Sequence, residues 1–143
     1  MSEAALLKGD NGKIKVEIFG YEYPTATDVD DSNWLQSRLE TTGGPFSGSI
    51  AISLTTSELM QLHQQFAEVT KHLNGNIRFE NLESNWILNL DFERTGTAVV
   101  SGKVILNQAE GNYLHYEFRT DPITLEGLVR DLSQMATKFP VKK

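Results

Sequence analysis

The chain has 143 residues, 39% hydrophobic and 22% charged, a size and apolar share that favour one packed core and exclude wholesale disorder. Its formal net charge of −6, with 13 basic residues scattered along the sequence, argues against nucleic acid as a ligand, because neutralising phosphates takes a basic face. The absence of cysteine excludes disulfides, thiolate metal sites and a cysteine nucleophile.

Met1 to Lys8 has neither the basic start nor the apolar stretch of a signal peptide, and residues 1–12 read as a loose leader to a single domain spanning 1–143. No apolar run approaches the ~20 residues a membrane-spanning helix needs, so the reading is cytoplasmic, with no membrane partner. Gly9-Asp10-Asn11-Gly12 is a turn signal. Ile14, Val16 and Ile18 then alternate with Lys13, Lys15 and Glu17, the period of a half-buried strand. Phe19, Tyr21 and Tyr23 fall on the opposite parity. Either both faces of that strand are covered, or these aromatics line a surface patch.

Pro24 and the run to Asp31 end the strand. Trp34 to Thr42 reads as a second strand with Leu35 and Leu39 on one side. Gly43-Gly44 reverses the chain, and Phe46, Ile50, Ile52 and Leu54 mark a third strand. The period then changes. Thr55-Thr56-Ser57-Glu58 has capping-box spacing, and Leu59, Leu62, Phe66, Val69 and Leu73 follow at spacings of three and four. This predicts a helix near Thr56 to Leu73, stopped by Asn74-Gly75-Asn76.

Ile77 and Phe79 suggest a short strand. Three longer ones follow at hairpin spacing, carrying Trp86–Phe92, Val100–Leu106 and Leu114–Phe118, with a turn over Asn107 to Gly111. Leu125, Leu128, Leu132, Met135 and Phe139 trace a second helical stripe, near Thr124 to Lys138. The order predicts an α+β fold: antiparallel sheet or sheets of about six or seven strands, with two helices packed on an apolar face. Leu59, Leu62, Phe66, Leu128, Leu132 and Met135 should lie beneath the face carrying Leu88, Leu90, Leu114 and Tyr116.

The residues offer little chemistry. Asp28, Asp30 and Asp31 fail as a calcium loop: counting from Asp28, the sixth position is Asn33 instead of glycine and the twelfth Leu39 instead of glutamate. They read as a solvated turn or a partner-binding loop. His63 and His72 lie nine apart on one helix, about 13 Å along its axis, too far to share a metal alone. His115 takes the polar parity of its strand. No serine sits in a GxSxG context and no P-loop pattern occurs. No catalytic residue, metal ligand or cofactor site is expected. Trp86 shares parity with Leu88, Leu90 and Phe92 and reads as core. Trp34, opposite Leu35 and Leu39, is either core or an exposed anchor.

Gly20-Tyr21-Glu22-Tyr23-Pro24, the acidic spacer, and Asn33-Trp34-Leu35 resemble the N-terminal signature of the WapI-type bacterial immunity proteins. Leu54-Thr55-Thr56-Ser57-Glu58-Leu59, Phe79-Glu80 and the closing Phe139-Pro140 follow in that family's order, whereas Asn81-Leu82 stands where the family usually has proline and a Leu-x-Phe run. The resemblance implies a small cytoplasmic protein that binds and neutralises the toxic domain of a cognate polymorphic toxin, often an RNase, without cofactor or reaction. Asp28, Asp30, Asp31 and Trp34 are the candidate contact residues. Two alternatives remain: a small-molecule or peptide-binding module with a pocket between sheet and helices, and an enzyme with an unsignalled site.

Overall fold

The computed structural model describes residues 3–107, 109 and 111–143. Strands β1 (Glu3–Lys8), β2 (Gly12–Tyr21), β3 (Trp34–Gly43) and β4 (Phe46–Thr55) form one antiparallel meander in that order. Strands β5 (Asn76–Glu80), β6 (Trp86–Phe92), β7 (Ala98–Asn107) and β8 (Asn112–Thr120) form a second. A short helix, α1 (Val29–Ser32), joins β2 to β3; α2 (Thr56–His72) links the sheets; α3 (Pro122–Lys138) follows β8. The fold is α+β and antiparallel as expected; among the described residues the strands number eight against the expected six or seven, and the open choice of one sheet or more falls to two. Gln108 and Glu110, within the turn expected over Asn107 to Gly111, lie outside the described residues.

The extra strand is the segment expected to be a loose leader. From Glu3 to Lys8 it pairs with β2, Leu7 opposite Ile14, and its Ala5 and Leu7 are buried. Helix α3 packs along it, which gives those two short apolar positions a surface to bury against. Met1 and Ser2 lie outside the described residues.

The long helices follow their sequence signals. Thr55 Oγ1 accepts the Glu58 N–H at 3.0 Å while Glu58 Oε1 accepts the Thr55 N–H at 2.8 Å, a reciprocal capping box. α3 begins two residues before the expected Thr124. Asp121 caps it by accepting the Thr124 N–H at 2.8 Å, and Pro122 takes the first helical position, where its missing N–H costs nothing. That backbone bond is the first cause of the lowered Asp121 pKa.

Both sheets and both long helices close on one core, which takes in Leu59, Leu62, Phe66, Leu128, Leu132 and Met135, together with Leu88, Leu90 and Tyr116. Leu114, expected on that face, is only partly buried. An apolar void of about 20 Å³ at the centre touches Leu7, Val16, Leu62, Phe66, Leu88 and Leu128, so first sheet, second sheet and both helices meet there. Tyr116 reaches across the second sheet: its hydroxyl donates to the Ile87 carbonyl at 2.6 Å and accepts the Trp86 indole N–H at 3.2 Å. The path runs over Gly102, where any Cβ would collide with the Ile87 oxygen and the tyrosine hydroxyl.

Candidate partner-binding face

The segment from Phe19 to Trp34 has two sides, because the β2–β3 register shifts between Ile18 and Gly20. This bulge puts one extra residue into β2 and exchanges the faces beyond it. Tyr21 now pairs with Leu35, a core residue, instead of sharing the outward face of Phe19. The choice between a covered strand and an aromatic patch is resolved residue by residue. Tyr21 packs edge-on to Phe139 (centroids 5.7 Å apart), while Phe19 and Tyr23 stay 44% and 49% exposed.

The inner side is a clasp for the C-terminal segment. The Tyr21 hydroxyl donates to the Pro140 carbonyl at 2.8 Å, and Lys142 Nζ lies 3.8 Å from the Tyr21 ring centroid. Burial pushes the Tyr21 pKa up. The buried Asn33 amide fills its whole bonding capacity. Its Nδ2 donates to the carbonyls of Val29 (2.7 Å) and Lys142 (2.9 Å), and its Oδ1 accepts from Thr56 Oγ1 and the Lys142 N–H, both at 2.7 Å.

The outer side is open and rich in carboxylate. Asp28, Asp30 and Asp31 are exposed. Asp28 caps α1 by accepting the Asp31 N–H at 3.0 Å, which explains its place in the run; Asp30 and Asp31 fill the first turn, where a helix N-terminus favours negative charge. Trp34 follows through Asn33, is partly buried, and accepts the Glu22 N–H on its carbonyl at 2.9 Å. The expected residues stay together only as neighbours along the chain; none lines the hollow of about 370 Å³ that the sequence did not signal, lined among others by Phe19, Glu22, Arg38, Ser53 and Glu83, which Trp34 meets through its carbonyl bond to Glu22.

Two carboxylates converge on Ser53 there. Its hydroxyl donates to Glu22 at 3.2 and 3.3 Å, and its backbone N–H donates to Glu83 Oε1 at 3.1 Å. Glu83 arrives from the loop between β5 and β6. Asn81 folds that loop by accepting the N–H groups of Asn85 (3.1 Å) and Trp86 (3.0 Å), and Glu58 Oε2 anchors it by accepting the Leu82 N–H at 2.7 Å. Glu22 stood inside the quoted Gly20–Pro24 motif; Glu83 had no local signal, since its partner is thirty residues away.

The histidines do not converge on this face. His72 pairs with Glu68 on the same helix at 3.2 Å, and His115 is exposed on β8, its ring 5.5 Å from Tyr113. Among the described residues no group of three or more His, Cys, Asp or Glu could hold a metal ion. No helix among them is long and apolar enough to cross a membrane.

Two antiparallel meanders joined by a helix, with a carboxylate-bearing outer face, define the α+β class of this protein. The chain belongs to the Immunity protein WapI-like family, which matches residues 5–140. No curated protein matches it. In fold it is similar to the plant transcriptional regulator PBF-2, with a TM-score of 0.60 at 10% identity over 97% of this chain and 82% of that one. It is similar also to WHY1 from Arabidopsis thaliana (TM-score 0.60, 9% identity, 97% and 85% covered) and to WHY3 from the same plant (0.54, 8%, 95% and 87%). At such identities the likeness is one of fold alone.

Proposed function

We propose that this chain is a cytoplasmic immunity protein that neutralises a cognate toxin domain by binding it, without catalysis, cofactor or nucleic acid. The family supplies the class. The observation that carries the reading is the hollow beside the Phe19–Trp34 segment, where Glu22 and Glu83 present acceptors next to exposed Phe19, with exposed Tyr23 and the exposed α1 aspartates following in the same segment of chain. Such a face suits lysine and arginine side chains of a basic partner, with aromatic area beside them.

Two features weigh against the other readings. The space enclosed between sheets and helices is about 20 Å³, against the roughly 300–1,000 Å³ of a small-molecule site. Ser53 makes a poor nucleophile. Its hydroxyl is taken up by the Glu22 carboxylate, with no histidine beside it among the described residues, and its N–H, the natural oxyanion donor, is already held by Glu83.

The test is co-expression with the toxin encoded beside the gene, followed by a binding titration at two salt concentrations. Protection from the toxin, with binding that weakens as salt rises, is expected. A chain that neither protects nor binds sinks the reading.

A further inference from the structure

Four strands stand at sheet edges: β1, β4, β5 and β8. An edge leaves every second N–H and C=O pointing away from its neighbour, ready to pair with another strand, so folded chains cover, shorten or charge their edges. Three of these edges are managed. Helix α3 covers β1, Asp131 reaching the Leu6 N–H at 3.5 Å. β5 has only five residues, two of them Arg78 and Glu80, and Arg78 Nη1 caps the Ile77 carbonyl at 2.8 Å. β8 abuts the first sheet, where Asp10 accepts the Arg119 N–H and donates its own to the Arg119 carbonyl, both at 2.9 Å.

β4 differs. It has ten residues, with no charge and no proline between Phe46 and Thr55. At its far end the outward N–H groups of Ser53 and Thr55 are capped by Glu83 and Glu58. Strand alternation turns the N–H groups of Ser47, Ser49 and Ala51 the same way. Among the described residues none of these three N–H groups meets an acceptor.

We infer that this bare window is a self-association edge, on which a second copy of the chain adds its β4 antiparallel about a two-fold axis at Ser49. The window is symmetric about that residue: Pro45 precedes it and the capped Ser53 follows it. Ser49 meets Ser49 and Ser47 meets Ala51, giving about six inter-strand hydrogen bonds. The strand carries no charge, so two copies of a chain with net charge −6 pair there without opposing like charges in the strand.

On the inner face Ile50 of the second copy falls opposite Gly48, where an added Cβ would meet nothing within 4 Å. Beside it lies a hollow of about 370 Å³ lined by Ile50, Val104, Leu106, Tyr113 and Leu114. Of these, Leu106 and Tyr113 are 71% and 53% exposed, and Phe46 at the start of β4 is 68% exposed. Arg38, which donates to Ser49 Oγ at 2.9 Å, brings one guanidinium from each copy to the flanks of the axis. Salt screens that pair and the net charge, so self-association strengthens with salt, the reverse of docking to a basic partner.

Sedimentation velocity on the whole chain, over a wide concentration range at low and high salt, tests this. A dimer that grows with concentration and salt is expected. Ser49→Pro removes the axial N–H without taking a bond from β3, and Ala51→Lys sets a cation opposite Ser47 and beside Arg38. Each should weaken association at least about tenfold. Circular dichroism checks folding, and Ala51→Lys decides alone if the proline variant does not fold. A chain monomeric at every concentration overturns the inference, as does a dimer that the variants leave intact. Amide exchange at Ser49 and Ala51 that slows only when the toxin is added hands the edge to that partner and also overturns it. Arg38 and Ala51 also line the hollow beside Glu22 and Glu83, so the toxin reading is decided separately, by protection in co-expression of the unmodified chain, which a monomer or a dimer leaves open to either result.

Discussion

Asn33 and Asp30 lie three positions apart in one signature and do opposite work. Asn33 is buried, spends both donors and both acceptors of its amide inside the protein, and ties the C-terminal segment to the end of β3. Asp30 is exposed, and although its carbonyl accepts the Asn33 N–H at 3.3 Å, its carboxylate bonds no other group among the described residues. Tyr21 and Phe19 repeat the division on β2, one folded onto Phe139 and the other turned outward by the bulge. A signature therefore mixes residues that a fold needs with residues that a partner could use. Burial and hydrogen bonding separate the two sets; motif membership does not.

The inner set gives the largest effect. Asn33→Asp keeps the shape but replaces the two Nδ2 donors with an acceptor that faces the carbonyls of Val29 and Lys142. Buried polar groups left unpaired cost about 1–3 kcal/mol each, so a loss of roughly 2–4 kcal/mol in urea melts is expected. Amide exchange near Lys142 should quicken at the same time. A variant as stable as the parent would break the division at its strongest point.

A middle effect comes from alkaline pH. Burial raises the Tyr116 pKa well above its ordinary value of 10, the Trp86 hydrogen bond opposing it less, and burial raises that of Tyr21 in the clasp as well. The folded chain then keeps protons that the unfolded chain releases near pH 10. Stability should be complete below that pH and fall above it, by about 1.4 kcal/mol per pH unit for Tyr116. Tyr116→Phe should flatten most of that slope in melts taken at several alkaline pH values, and Tyr21→Phe a smaller part. A slope indifferent to both substitutions would mean that neither hydroxyl carries it.

Much of this was legible in the sequence, and the failures have physical causes. Leu59, Leu62 and Phe66 recur at helical spacing, and Thr55 with Glu58 announces a cap; both signals are local, and both helices lie within a few residues of their expected positions. β1 was missed because Ala5 and Leu7 are too few to set a period and gain their burial from α3, more than a hundred residues away. Strand parity groups Tyr21 with Phe19 and leaves its environment open, because a bulge inserts one residue without changing composition. Asn33 carries no local sign of its role, since its decisive partner is Lys142, 109 positions on. Period fixes which residues face inward, but not which sheet they join, so one meander could not be told from two.

The smallest effect on stability, and the sharpest on function, is expected from the outer set. Asp30→Lys with Asp31→Lys inverts two exposed charges that bear no tertiary hydrogen bond, while Asp28 keeps its cap on α1. The denaturant midpoint should stay within error of the parent. If the proposed toxin is basic where it meets this face, the same pair should slow association at least about tenfold at low salt and much less at high salt, because steering by exposed charge is screened. Dissociation should change little, since exposed charges act mainly on encounter and the aromatics Phe19 and Tyr23 stay in place. Stopped-flow association at two salt concentrations reads both rates. Unchanged association would take α1 out of the contact and leave Glu22 and Glu83 to be tested as Glu22→Gln and Glu83→Gln. A drop in stability would instead show that the exposed side of the signature also serves the fold, and would erase the division between Asn33 and Asp30.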